Sequence, residues 1–521
     1  MPARSAFVLL LLTTATSAIA ASHDQTTAAW SNRLTWGVSA QSREDAAPGS
    51  DAWLEAQLKH PDDTLPPAIA AQIAAMQISQ KPVAQLVVDA DAANRYAGKL
   101  PDVAQRDAAH TAYQHDMTAL ANEAATRSLL RDIYAPDQLR EQVTWFWMNH
   151  FSVQAQKRDV RAMVGDYEET VRAHAFGKFR DLLEATLRHP AMLRYLDNDQ
   201  NAAKHINENY AREILELHSM GVGAGYSQKD VQELARILTG VGVDLSPTAP
   251  KLSPERQPLY VRAGLFEFNP NRHDFGDKLF LGQTIKGSGF AEVETALDLI
   301  ARAPQTAHHV SLQLATYFMG DQPPATVVDR MTAAWRRSDG DIAAVLRAMI
   351  RAPEFKQSLG TAFKDPMHYT VSAVRLMYGD QTIINPQPIL GWLNRMGEGL
   401  YARETPDGFP MESAAWTGPG QMSVRFEIAR QIGSGAGVLF RLPAPPGPSA
   451  MAVMAGAAVP AAAAAPPPPF PAPPVPHLQT AAYFTAIAPA VAASTTTALT
   501  QASSPQEWNA LFLSSPDFMR R

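Results

Sequence analysis

Apolar residues that recur every three or four positions constrain this chain most, because that spacing is one face of an α-helix. The pattern runs through "PDQLREQVTWFWMNHF", "FRDLLEATLRHPAMLRYL", "SQKDVQELARILTG", "AEVETALDLIARAP" and "DGDIAAVLRAMIRAPEF". Helix punctuation agrees with it: Ser227 stands at an N-cap position, and Gly221 and Gly240 follow two helix ends. A mainly α, multi-helical body is therefore predicted. One stretch breaks the period. In "LYVRAGLFEFNPNRHDFGDKLFLGQTIKG" an Asn/Pro/Asp/Gly cluster separates aromatic and β-branched runs, which predicts a small β-hairpin or sheet insertion near residues 258–286.

The N-terminus carries Arg4, an apolar run from Ala6 to Leu12, and the small-x-small sequence Ala18-Ile19-Ala20. That is the pattern of a secretory signal peptide over residues 1–20, and it places the mature chain in the periplasm or outside the cell. The apolar run is too short to span a bilayer, so no transmembrane span is expected after cleavage. The 521 residues contain no cysteine, which removes disulfides, thiolate metal sites, thiol nucleophiles, covalent haem and a lipoprotein anchor together. An exported chain of this kind must be stabilised by packing alone. A net charge of −6 without a basic block gives nucleic acid no binding groove. Residues 21–440 are read as one helical domain that includes the β-rich insertion. Residues 441–478, rich in Pro and Ala, are read as an extended or disordered linker, and residues 479–521 as helices that return to the body.

Two sets of residues could carry chemistry. From Asp197, oxygen-bearing side chains fall at loop positions 1, 3, 5 and 12, namely Asp197, Asp199, Asn201 and Glu208. This is the spacing of a Ca2+ loop, although Ala202 stands where the sharp turn calls for glycine. The alternative is an acidic inter-helix loop in which Asn201 or Asn207 caps the next helix. The second set comprises Glu213 and His218, placed on the apolar side of a helix running from His205, and His150, aimed inward on a stripe with Leu139, Val143 and Phe146. His273 and Asp274 complete it, from an irregular segment of the kind that delivers polar groups to clefts. Grouped around one cleft, these five could serve acid/base or metal chemistry; separately, they are packing residues and turn formers. No zinc-protease helix, nucleophile elbow or phosphate-binding loop is present.

Several motifs together, "WFWMNHFSV", "HAFGKFRDLLEATLRHPAMLRYLDN", "NENYAREILELHSMGVGAGYSQKDVQELARILTG", "FNPNRHDFGDKLFLG" and "SSPDFMRR", resemble the exported bacterial family called domain of unknown function 1800 (DUF 1800). The resemblance implies an exported helical protein without an established activity, often encoded beside a secreted sulfatase-like family. It carries over no catalytic residue. The family pattern commonly has His where this chain has Met148 and Trp where it has Val241. The leading expectation is an exported protein acting with a sulfatase-like partner in assembly or processing of envelope or extracellular material. The alternative is a metal-dependent hydrolase or oxidoreductase of the periplasm.

Overall fold

The computed structural model describes residues 26–38, 48–59, 62–442, 449–450, 454 and 474–521. The expected signal peptide and most of the Pro/Ala segment lie outside these residues. As the apolar spacing requires, the body is a stack of helices. Its longest element, Val103–Tyr134, begins at Asp102, whose side chain accepts from the Gln105 amide. Helices Val83–Lys99, Val164–Ala173, Pro366–Tyr378 and Gln387–Arg395 pack against it. Proline opens several helices, at Pro190, Pro304, Pro366, Pro419 and Pro505, where its missing N–H would have had no partner anyway. Among the described residues, none of the helices is long and apolar enough to cross a membrane.

Five short strands sit on this body. β1 (Val241–Val243), β2 (Val261–Ala263) and β3 (Phe266–Phe268) form an antiparallel sheet in the order β1-β3-β2, with Val241 opposite Phe268. β4 (Lys278–Phe280) and β5 (Gln283–Ile285) form a separate hairpin. Its two-residue loop puts both Leu281 (φ 46°) and Gly282 (φ 76°) in the left-handed region, as a tight hairpin turn needs. Four of the strands lie inside the predicted insertion, and β1 extends it upstream.

Ser227 caps helix Gln228–Ile237 in a reciprocal box with Asp230, and Gly221 and Gly240 take positive φ values of 95° and 83°. The helix expected from His205 instead starts at Asn209 and ends at Glu216. Residues 202–205 are drawn into a local bridge, and the Ala203 amide donates to the Arg272 carbonyl, so Ile206 is left exposed. Most buried apolar side chains form one continuous core reaching from Leu34 to Met519; Ile69, Met76 and Leu130 make a small satellite.

Candidate functional site

The loop with calcium-like spacing has its oxygens distributed among different partners. Asp197, in the left-handed region at φ 57°, pairs with Lys157 at 2.7 Å, whereas Asp199 pairs with Arg158 at 3.0 Å and Arg194 at 3.4 Å. Glu208 accepts from Arg212 at 3.2 Å and Gln228 at 2.7 Å. Asn201 is fully buried; it donates to the Ala235 carbonyl at 2.8 Å and accepts from the Asn207 amide at 2.9 Å. Beside it, Asn198 donates to the Val241 carbonyl at 2.9 Å. The loop thus ties helix Pro190–Tyr195 to helix Gln228–Ile237 and β1. Among the described residues, no three His, Asp or Glu side chains are grouped so as to hold a metal ion.

His273 and Asp274 belong to a buried clamp that fastens the β insertion. His273 lies 2.9 Å from Glu292 through Nε2, and its Nδ1 lies 2.7 Å from the Thr239 carbonyl. Lys278 reaches the other Glu292 oxygen and the Asp274 carbonyl. Burial alone would raise the Glu292 carboxyl, but the bonds from His273 and Lys278 hold it below its ordinary value. Asp274 is held by Arg236 through both carboxylate oxygens, at 2.8 and 3.2 Å, and this keeps its carboxyl low.

His150 and His218 do come together. His150 ends helix Gln138–His150, whose indoles and phenyl rings fill the core, and it packs against Phe146, Trp147 and Phe151. Its Nε2–H donates to the His218 carbonyl at 3.1 Å, and the two ring centres are 6.2 Å apart. His218 is 0% exposed, and neither of its ring nitrogens has a hydrogen-bond partner among the described residues. Burial pushes both imidazoles down to about 3, so both are neutral at any ordinary pH. Glu213 is half-buried on helix Asn209–Glu216, which ends two residues before His218 rather than carrying it; burial and then the neighbouring Glu216 raise its carboxyl. Its charged neighbours are Glu216, Arg212 and Asp407, not the histidines. The five candidates therefore divide into a histidine pair, a half-buried Glu213 and a separate clamp.

A family model, "Protein of unknown function (DUF1800)", matches residues 29–520, nearly the whole chain. The chain belongs to the DUF1800 family. No curated protein and no solved structure matches it.

Two polar groupings in this DUF1800 protein escaped the sequence reading. The first is His309, on helix Pro304–Met319, whose imidazole comes up against the turn that carries His218: a Cβ on Gly221 would stand 2.9 Å from its Nδ1. Only the tertiary pairing of that helix with the 217–221 turn reveals it; the pair His308-His309 was the visible signal. The second is a buried cluster around "KDPMHY". Asp365 lies 2.7 Å from His368 Nδ1, Lys364 donates to Ser372 Oγ at 3.0 Å, and Arg425 and Arg521 reach in from distant helices and turns. Burial and the nearby Asp365 push the Glu398 carboxyl well up, and the Met367 amide donates to it at 2.8 Å. The i, i+3 spacing of Asp365 and His368 was legible; their burial was not. Of the two family positions that differ here, Met148 borders a small cavity with Trp145 and Tyr401, and Val241 is buried in β1.

Proposed function

We propose that this DUF1800 protein acts outside the cytoplasm by binding another exported protein, for which the family resemblance points to a sulfatase-like partner. The observation that carries the reading is a groove of about 970 Å³ between helices Pro419–Gly433, Ala493–Leu499 and Pro505–Leu513. Ala498, Ala510 and Leu511 line it, and Phe426 stands 45% exposed at its side. An exposed aromatic ring over an apolar trough is the feature that anchors protein interfaces. The occupant that fits is an amphipathic helix, laying its apolar face in the trough and its polar edge against Arg430 and Glu507. By contrast, none of the residues that could have formed a hydrolytic centre lines this groove, and His273, Asp274 and His150 are held by internal hydrogen bonds.

The experiment is site-specific photocrosslinking from position 426 in the intact protein with a purified sulfatase-like protein encoded beside it. A discrete cross-linked product that is lost on Leu511→Glu, and absent when the crosslinker sits at exposed Val438, supports the reading. No product at 426, or equal products at 426 and 438, overturns it. Export is tested separately by N-terminal sequencing: a mature chain beginning at Ala21 outside the cytoplasm supports it, and an uncleaved cytoplasmic chain refutes it.

A further inference from the structure

We propose that His150 and His218 form a binding site for a monovalent soft metal ion, Cu(I), with Met220 and His309 as the donors on its access route. His218 supplies the starting observation. A neutral imidazole has one donor and one acceptor nitrogen, and leaving both without a partner in a fully buried site costs the desolvation of each with nothing to offset it. Hydrogen-bond logic then fixes its neighbours. A carbonyl only accepts, so His150 must carry its proton on Nε2, where it meets the His218 carbonyl at 3.1 Å, and its Nδ1 is left with a lone pair. His309 comes up against the same turn, on the far side of Gly221. The His218 carbonyl thus orients the His150 imidazole by the arrangement that fixes metal-binding histidines elsewhere, with one nitrogen donating to a backbone oxygen and the other free to coordinate.

Spacing and charge select the ion. Metal–nitrogen bonds of about 2 Å place the ring centres of two imidazoles on one ion about 6 Å apart, and the centres of His150 and His218 are 6.2 Å apart. Among the described residues no carboxylate makes a hydrogen bond or ion pair with either ring; the ionisable neighbours are themselves imidazoles, His309 for His150 and His150 for His218. Among the described residues there is no three-donor group of His, Asp and Glu, so a zinc-type centre is not formed, whereas two neutral nitrogens suffice for Cu(I). Because the Born cost of burying an ion rises with the square of its charge, a divalent ion here would cost roughly four times as much as a monovalent one. The access route we assign starts at a cavity of about 450 Å³ that His309 lines together with Met220 and Gly221, two and three residues beyond His218; it presents a soft thioether beside an imidazole, and neither His150 nor His218 lines it. Gly221 permits that approach: a Cβ there would stand 2.9 Å from His309 Nδ1.

This inference is independent of the groove, and either can fail without the other. The test is anaerobic titration of the full mature protein with Cu(I) against bicinchoninate as competing chelator. One Cu(I) per chain is expected in the wild type, at least 100-fold weaker binding in His150→Gln and His218→Gln, about tenfold weaker in Met220→Leu, and unchanged binding on replacing the exposed, remote His110 in His110→Gln. Wild-type binding no tighter than that of His218→Gln, or displacement of Cu(I) by equimolar Zn2+, would overturn it. Should the histidine variants fail to fold, X-ray absorption of the Cu(I)-loaded wild type decides: a low-coordinate site with imidazole scattering upholds the assignment, and its absence rejects it.

Discussion

Replacing Glu292 with Gln would leave the Lys278 ammonium in a site without access to water and take away its counter-charge. Breaking a buried pair from one side costs about 3–5 kcal/mol, and urea unfolding of Glu292→Gln should show a loss of that order. The folded carboxyl of Glu292 lies below its ordinary value, so its contribution is complete above the unfolded pKa and is lost as pH falls through the folded one. The gap between wild type and variant should therefore narrow in acid. Lys364 acts in the same direction at higher pH, because its charged form is the one the fold disfavours: burial, then the charges of Arg521 and Arg425, lower it to about 7. Above that pH the folded state has released a proton that the unfolded chain still holds. Stability should then rise with pH from about 7 towards the unfolded value near 10.4, by at most about 1.4 kcal/mol per unit, and Lys364→Met should abolish this rise. Neither role was legible in the sequence, where Glu292 looks like one acid on an ordinary solvated helix face. His150 and His218 were legible as inward-pointing, because helical spacing alone determines which way a side chain faces. Which helix it then faces is a tertiary matter, and that is why His309 was missed.

Helix Gln228–Ile237 shows how much an element owes to its ends. Ser227→Ala should cost about 1 kcal/mol through the lost cap. Asp230→Ala should cost more, because Asp230 also accepts from the Leu281 amide at 2.8 Å and so tethers the β4–β5 turn to the helix. Amide exchange should separate the two: faster exchange confined to the first helical turn for Ser227→Ala, and faster exchange in the hairpin as well for Asp230→Ala. The cap was readable because Ser and Asp three residues apart act locally. The start of helix Asn209–Glu216 was misjudged for the opposite reason. Apolar spacing continued back to Ile206, but the Ala203 amide finds its acceptor at Arg272, nearly seventy residues downstream, and that distant bond overrides the local period.

At the scale of the molecule, the helical class and the β insertion followed from periodicity, while the closure of the core did not. Arg33, fully buried, donates to the Phe318 carbonyl at 2.8 Å, to Ser358 Oγ at 2.8 Å and to the Arg521 carbonyl at 2.7 Å. Arg521 in turn donates through its guanidinium to the Tyr317 carbonyl at 2.5 Å and through its amide to Ala362 at 2.8 Å. Arg521→Ala should therefore loosen the helix over residues 26–34, seen as faster amide exchange there while helix Val103–Tyr134 keeps its protection. The same junction bears on timing. If the chain crosses a membrane amino end first, Arg33 reaches the far side 488 residues ahead of its acceptor at Arg521, and its helix must wait for that acceptor. Folding cannot then be completed piecemeal during passage, and a chain stalled short of Arg521 should stay open to protease at the helix over residues 26–34.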